Sequence, residues 1–128
     1  MHAEQPSELL PLPHLTYLVL LALAQGDAHG WALIKRIREL TAGGTNPSSG
    51  SLYLAMVRLE ERGLLEERAA PAGGGDERRR YYRLTKFGRK VLEAESARLA
   101  SLVAIAKRWG VLDAPAAHGR TVPGRGQA

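Results

Sequence analysis

Arginine supplies the clearest binding chemistry in this sequence of 128 residues. Arg78, Arg79 and Arg80 are consecutive, and they follow a run of glycines at residues 73–75. The guanidinium group keeps its positive charge and donates hydrogen bonds in a planar fork that suits phosphate oxygens. Glycine leaves the preceding chain conformationally free. The pattern therefore predicts a phosphate-binding loop, and the plain alternative is a solvated loop without a partner.

A second group of polar side chains lies between residues 48 and 58. Ser49, Ser51 and Tyr53 carry hydroxyl groups that donate and accept hydrogen bonds, and Arg58 follows further along the same segment. The N–H groups at the start of a helix also bind phosphate. These four residues are predicted to contact a nucleic acid. Ser49 and Ser51 alternatively act only as helix caps, and Tyr53 alternatively supports a neighbouring hairpin.

Two further phosphate-binding candidates, Lys35 and Arg36, lie on a preceding segment with helical periodicity. The charge distribution along the chain agrees with a partner that carries phosphates. Residues 29–90 hold 13 Lys and Arg against 7 Asp and Glu, a net +6, while the rest of the chain holds 5 against 6, a net −1. A positive charge concentrated in one segment favours a polyanionic partner, and the open alternative is a solvated basic face.

Catalytic and metal-binding arrangements are missing from the sequence. There is no cysteine, which excludes disulfides, thiolate metal sites and cysteine nucleophiles. The histidines at positions 2, 14, 29 and 118 are scattered, and His29 is interpreted as a residue at the start of a helix. No acid pair or nucleophile with an adjacent base is evident. We therefore predict no enzyme activity, no metal and no cofactor.

The bulk composition, with 45% hydrophobic and 24% charged residues, is that of a folded protein with one main domain. The N-terminus lacks the basic start of a signal peptide, and the apolar run at residues 15–24 is too short to cross a bilayer. A cytoplasmic location is therefore expected.

Hydrophobic periodicity predicts four helices and one β-hairpin. The helices are expected at residues 14–24, 30–41, 50–62 and 86–109, and the strands at 64–68 and 80–84.

The third helix has two distinct faces. Its inner positions recur at i, i+3, i+4 and i+7, and they are Leu52, Ala55, Met56 and Leu59. The opposite face, which includes Tyr53, Leu54 and Val57, is left for a partner. Gly63 is expected to be the left-handed C-cap, and Thr85 the N-cap of the last helix.

The last helix is longer than a small domain requires. A heptad-like stripe and a second apolar stripe along it indicate two neighbours, one of which is a second subunit. The predicted dimer interface is Leu92, Leu99, Leu102, Val103 and Ala106.

Three helices followed by a hairpin are typical of a winged helix-turn-helix, in which the third helix enters the DNA major groove. We therefore expect a mainly α fold with a small β-hairpin and a long C-terminal dimerisation helix. The expected organisation is an N-terminal arm at 1–12, a winged-helix DNA-binding domain at 13–85, the dimerisation helix at 86–110 and a disordered tail at 111–128.

Five short motifs in this order resemble the PadR family of transcriptional regulators. They are His-Gly-Trp at 29–31, Ile-Lys-Arg-Ile at 34–37, Ser-Ser-Gly-Ser-Leu-Tyr at 48–53, Arg-Leu-Glu-Glu-Arg-Gly-Leu-Leu at 58–65 and Arg-Tyr-Tyr-Arg-Leu-Thr-Lys-Phe-Gly at 80–88. The resemblance covers about residues 12–95. It implies a repressor that binds palindromic double-stranded operator DNA as a homodimer and is released by a small-molecule effector.

The chain departs from the family pattern at several positions. Trp31 stands where tyrosine is usual, Ser49 where proline is usual, Leu54 where proline is common and Val57 where a basic residue is common. Arg98 occupies the position of a tryptophan in relatives that sense planar drugs. Leu54 and Val57 favour apolar contacts with thymine methyl groups.

Trp31 and Trp109 are interpreted as packing residues, with an effector pocket at the dimer interface as the alternative. The alternative function is a winged-helix module that binds a protein or RNA without recognising an operator.

Overall fold

The order of elements follows the sequence prediction, with two short additions. The computed structural model describes residues 5–69 and 80–113. Its elements are a 3-10 helix at Pro6–Leu9, α1 at His14–Leu23, β1 at Ala28–His29, α2 at Gly30–Leu40, α3 at Ser49–Glu61, β2 at Leu65–Arg68, β3 at Tyr81–Leu84 and α4 at Lys86–Arg108. The predicted phosphate-binding residues Arg78 and Arg79, and all of the predicted tail beyond residue 113, lie outside the described residues.

The sheet has three strands rather than the two of the predicted hairpin. Strand β3 lies in the centre, antiparallel to β1 on one side and to β2 on the other. The pairing of β1, Ala28 with Tyr82 and His29 with Tyr81, was missed because two residues are too few to show the alternation that identifies a strand.

Helices α1, α2 and α3 enclose the core with the sheet. Helix α1 is apolar on nearly all sides, and its Leu18 to Leu20, Ala22 and Leu23 are buried. The predicted inner stripe of α3 is confirmed, because Leu52, Ala55, Met56 and Leu59 are all buried. Tyr82 of β3 is buried and Tyr81 is only half-buried, as expected for alternating strand residues.

The end of α3 and the start of α4 are joined by one network of backbone contacts. Gly63 has a φ of 78°, and the bonds from its N–H to the Glu60 carbonyl and from the Leu64 N–H to the Leu59 carbonyl form a Schellman cap. The Thr85 hydroxyl donates to the Gly63 carbonyl at 2.6 Å and accepts from the Gly88 N–H at 2.9 Å. Both predicted caps are confirmed.

The segment before α1 differs from the expected unpacked arm. Leu9 is buried, and Leu10 and Leu12 pack against the core. The three prolines at positions 6, 11 and 13 indicated an irregular backbone, but the leucines between them supply enough apolar surface to bind the segment to the domain.

The chain divides into two compact units, Met1–Ser96 and Ala97–Ala128. Helix α4 contributes its residues up to Ser96 to the first unit and the remainder to the second. In the described parts of the chain, no helix is both long and apolar enough to cross a membrane.

Candidate nucleic-acid interface

Helix α3 presents an exposed face that combines hydroxyl, apolar and cationic side chains. Tyr53 and Leu54 are 60% and 56% exposed, Ser51 and Arg58 are exposed, and Val57 is half-buried. At about 100° per residue, Ser51 and Arg58 lie along one edge of this face and Tyr53 along the other, with Leu54 and Val57 between them.

A Ser-Ser-Gly-Ser turn begins α3. Ser48 is the N-cap, and its hydroxyl oxygen accepts a hydrogen bond from the Ser51 N–H at 3.1 Å and donates to the Ser51 hydroxyl at 3.0 Å. Ser49 and Ser51, proposed from the sequence as possible caps, are instead the first and third helical residues, because Ser48 is the last residue with an extended backbone. Both serines are exposed.

The two cationic candidates on α2 differ in their surroundings. Lys35 is exposed. The Arg36 guanidinium donates to the backbone carbonyls of Gly26 at 2.7 Å, Ala22 at 3.1 Å and Asp27 at 3.3 Å. Because the Ala22 carbonyl lies in the last turn of α1 and the other two follow the helix, Arg36 holds the α1–β1 connection in place. We therefore assign Arg36 a structural role rather than the phosphate contact expected from its charge.

An aromatic crevice lies between the start of α2, the start of α3 and strand β3. Its volume is about 330 Å³, and its lining includes Trp31, Tyr53 and Tyr82. Trp31 is 57% exposed, so the expectation that it is a packing residue is wrong in this chain. Trp31 is exposed because it lies in the first turn of α2, beside the buried stripe and not in it. The stripe consists of Leu33, Ile34 and Ile37.

Each described arginine of β2 and β3, together with Arg80 just before β3, is paired with an acidic side chain. Arg68 contacts Asp27 at 2.9 Å, Arg80 contacts Glu67 at 3.3 Å, and Arg83 contacts Glu66 at 2.6 Å. The sequence predicted Arg80 as a phosphate contact but missed its acidic partner. Cross-strand register brings these partners together, since Glu66 faces Arg83 directly and Glu67 faces Tyr82, and the sequence alone does not set that register.

Electrostatic shifts occur at the same end of the sheet. The pKa of the Arg80 guanidinium is raised, mainly by the charge of Glu67 and then by a hydrogen bond with Tyr82. Burial raises the pKa of the Tyr82 phenol, and the nearby Arg80 partly opposes that shift. Tyr82 therefore stays protonated at neutral pH, and Arg80 stays charged.

The predicted dimer-interface residues fall into two groups. Leu92 is 5% exposed and belongs to the core of the first unit, so its assignment to a subunit interface is wrong. Leu92 does occur at heptad spacing along α4, but the first turns of this helix pack against the core of their own domain. In the second unit, Leu102 and Val103 are 49% and 43% exposed, while Leu99 and Ala106 are half-buried. Trp109, also in that unit, is 76% exposed in the single chain.

Within residues 5–69 and 80–113, no group of three or more histidine, aspartate or glutamate side chains is arranged to hold a metal ion.

The order of three helices and a small antiparallel sheet, with an exposed third helix beside a hairpin, defines a winged-helix DNA-binding protein. The profile of the Transcriptional regulator PadR-like family matches residues 19–94. The chain therefore belongs to the PadR-like family of transcriptional regulators.

Similar proteins agree with this assignment. A PadR family transcriptional regulator from Eggerthella lenta is 35% identical, with a TM-score of 0.57 over 74% of this chain and 83% of that chain. A PadR family regulator from Clostridium difficile shares the fold at 24% identity, with a TM-score of 0.67 over 76% of this chain and 98% of that one. The Transcriptional regulator YqjI of Escherichia coli is 37% identical over 59 residues, which are 46% of this chain. The chain spans only 23% and 28% of the lengths of the first curated relatives it matches.

Proposed function

We propose that this chain is a transcriptional repressor that binds a palindromic operator as a homodimer and is released by a small-molecule effector. The observation that carries the proposal is the division of α3 into a buried stripe and an exposed face with Tyr53 and Leu54. A helix with its side chains is roughly 10–12 Å across and fits a major groove that is roughly 12 Å wide.

In the proposed complex, the exposed face of α3 reads the base edges. Leu54 and Val57, in the middle of that face, contact thymine methyl groups, and Tyr53 provides a hydroxyl at one edge. Ser49, Ser51 and Arg58 contact phosphates or, for Arg58, a guanine edge. These residues come from one rigid helix, which fixes their spacing along the groove.

The hairpin and α2 supply the phosphate contacts beside the groove. Arg78, Arg79 and Arg80 are the proposed contacts of the hairpin, and Lys35 is the proposed contact of α2. Phosphate contacts position the protein without reading sequence, so these residues contribute affinity and salt dependence rather than preference for a base.

Dimerisation is proposed to use the apolar side chains of the second unit. Leu102 and Val103 are exposed there, with Leu99 and Ala106 close to them in sequence. Exposed apolar residues at helical spacing are typical of a subunit interface. A two-fold dimer presents two copies of α3, and this symmetry is what a palindromic operator matches.

The effector is proposed to bind near one of the two tryptophans, Trp31 or Trp109. Each single tryptophan-to-phenylalanine variant leaves one indole as a fluorescent reporter, since the chain has two tryptophans. Quenching by a ligand that also releases DNA, seen in only one of the two variants, identifies the site. A ligand that releases DNA with no change in either indole would contradict both positions.

The decisive experiment is footprinting of the full chain on fragments of its own genome, including the region upstream of its gene. We expect a protected site with two-fold symmetry, whose affinity falls steeply with salt because bound phosphates release counterions. Sedimentation at micromolar concentration should give the mass of a dimer. Absence of any protected site at low salt would overturn operator binding, and selective capture of RNA or a protein would favour the alternative.

A further inference from the structure

The ion pair between Glu67 and Arg80 lies on the side of the hairpin that faces α3. Side chains alternate along a strand, so Glu67 shares its face with Leu65, which is buried in the core. Glu67 is also paired in register with Tyr82, and Tyr82 lines the aromatic crevice together with Tyr53 of α3. The Arg80 guanidinium is therefore held next to the exposed face of the recognition helix.

The neighbouring pair of Glu66 with Arg83 lies on the opposite face of the same two strands. Glu66 alternates with Glu67 along β2, and Arg83 alternates with Tyr82 along β3. The N–O distance is 2.6 Å in this pair and 3.3 Å in the pair of Glu67 with Arg80. The described residues of the hairpin thus carry two similar ion pairs, and of these the pair of Glu67 with Arg80 faces α3.

Breaking the ion pair between Glu67 and Arg80 requires little free energy. The side chains of Arg80 and Glu67 are 67% and 42% exposed, and solvent-exposed pairs contribute little to stability. A carboxylate and a DNA phosphate present the same kind of anionic oxygen to a guanidinium. Arg80 can therefore exchange one for the other, but the Glu67 carboxylate competes with the phosphate for as long as it stays charged.

We propose that Glu67 masks Arg80 and thereby sets the affinity of the hairpin for the DNA backbone. DNA must displace the Glu67 carboxylate before Arg80 contacts a phosphate, and the displaced carboxylate then lies close to a like charge. Because the contact is with the backbone, the penalty applies to every DNA sequence alike. Glu67 therefore lowers overall affinity without changing preference among sequences. The inference rests on the proposed function, in that the hairpin contacts DNA.

The test compares Glu67→Gln with Glu66→Gln, a matched control that makes the same charge change one residue away on the other face. Binding of the full chain to a labelled random-sequence duplex and to the footprinted fragment is measured over a range of salt. We expect Glu67→Gln to tighten binding roughly two- to fivefold at low salt, and we expect this gain to shrink as salt rises, because salt screens the charge of the competing carboxylate. Glu66→Gln should change affinity less than about twofold.

Arg80→Ala and the double variant Glu67→Gln/Arg80→Ala complete the design. If Glu67 acts through Arg80, the gain from Glu67→Gln largely disappears when Arg80 is absent. The ratio of affinities for the two duplexes should be the same in wild type and in Glu67→Gln. Glu67→Ala serves as a second unmasking variant, and the thermal transition of each variant verifies that it is folded.

Three results would overturn the inference. Equal tightening of DNA binding by Glu67→Gln and Glu66→Gln would mean that the effect comes from the change in net charge alone. Weaker binding by Glu67→Gln would mean that the carboxylate positions Arg80 rather than masks it, and unchanged binding would mean that Arg80 does not touch DNA. A wild-type chain that binds neither duplex at low salt would instead contradict the proposed function itself.

Discussion

The carboxylate of Glu95 accepts a hydrogen bond from the backbone N–H of Leu12 at 2.9 Å, across 83 residues of chain. Glu95 is 1% exposed, which is unusual for a glutamate. One helical residue further on, the hydroxyl groups of Ser96 and Tyr17 lie 2.9 Å apart. These two contacts attach the segment before α1, and α1 itself, to helix α4.

Replacing Glu95 with alanine should lower the free energy of unfolding by about 2–3 kcal/mol, because a part-buried N–H loses its side-chain acceptor. The matched control is Glu93→Ala on the same helix, where the side chain is exposed and the change should stay within about 0.5 kcal/mol. Urea unfolding at one fixed protein concentration measures both. Equal stability of the two variants would contradict a structural role for Glu95.

Gly88→Ala should lower the free energy of unfolding by at least about 3 kcal/mol. A Cβ at Gly88 would overlap the backbone carbonyl of Leu64, which cannot move aside as a side chain can. Gly50→Ala is the control, since nothing lies within 4 Å of a Cβ there. An alanine in that helix should leave stability unchanged or raise it by up to about 1 kcal/mol. Thermal unfolding of the two variants distinguishes a close backbone approach from a general intolerance of alanine.

Arg36 and Lys35 are adjacent cations that should behave differently. Arg36→Ala removes the donor shared by three carbonyls and should lower the free energy of unfolding by about 1–3 kcal/mol. Lys35→Ala should leave stability unchanged but reduce the salt slope of DNA binding by about 0.9. Denaturation and salt titrations are made on both variants at a temperature where both are folded. If the Arg36→Ala protein were as stable as wild type and its DNA binding had a reduced salt slope, Arg36 would be a phosphate contact after all.

Leu54 should read thymine methyl groups in the operator. Leu54→Ala is expected to weaken operator binding by about 1 kcal/mol, close to the value of one buried methyl or methylene group. Replacing the contacted thymine with uracil removes the same contact from the DNA side. The two changes together should therefore cost little more than either alone. Leu40→Ala, at a 40% exposed leucine at the end of α2, is the control and should leave binding unchanged. Additive effects at every thymine would contradict the contact.

Much of the exposed face of α3 was predictable from local pattern. The period of 3.6 residues separated the buried stripe of α3 from Tyr53 and Leu54, because burial of one helix face depends mainly on where apolar side chains recur. Gly63 and Thr85 were identified as caps from their residue types, since capping geometry involves only a few adjacent residues. The five short motifs indicated the family in the same way, since each is read from a few adjacent residues.

Tertiary contacts decided the roles that depend on distant partners. A charge pattern does not distinguish Lys35 from Arg36, because only folding brings the end of α1 to the Arg36 guanidinium. A heptad pattern does not distinguish Leu92 from Val103, because both repeat at heptad spacing and only packing buries Leu92. The pairing of Arg80 with Glu67 depends on strand register, and the burial of Glu95 depends on a contact 83 residues away. The sequence by itself determined which residues carry side chains suited to binding and which helix presents them. The three-dimensional arrangement decided which are free to do so, because charged and apolar groups are neutralised or buried by whatever the fold places beside them.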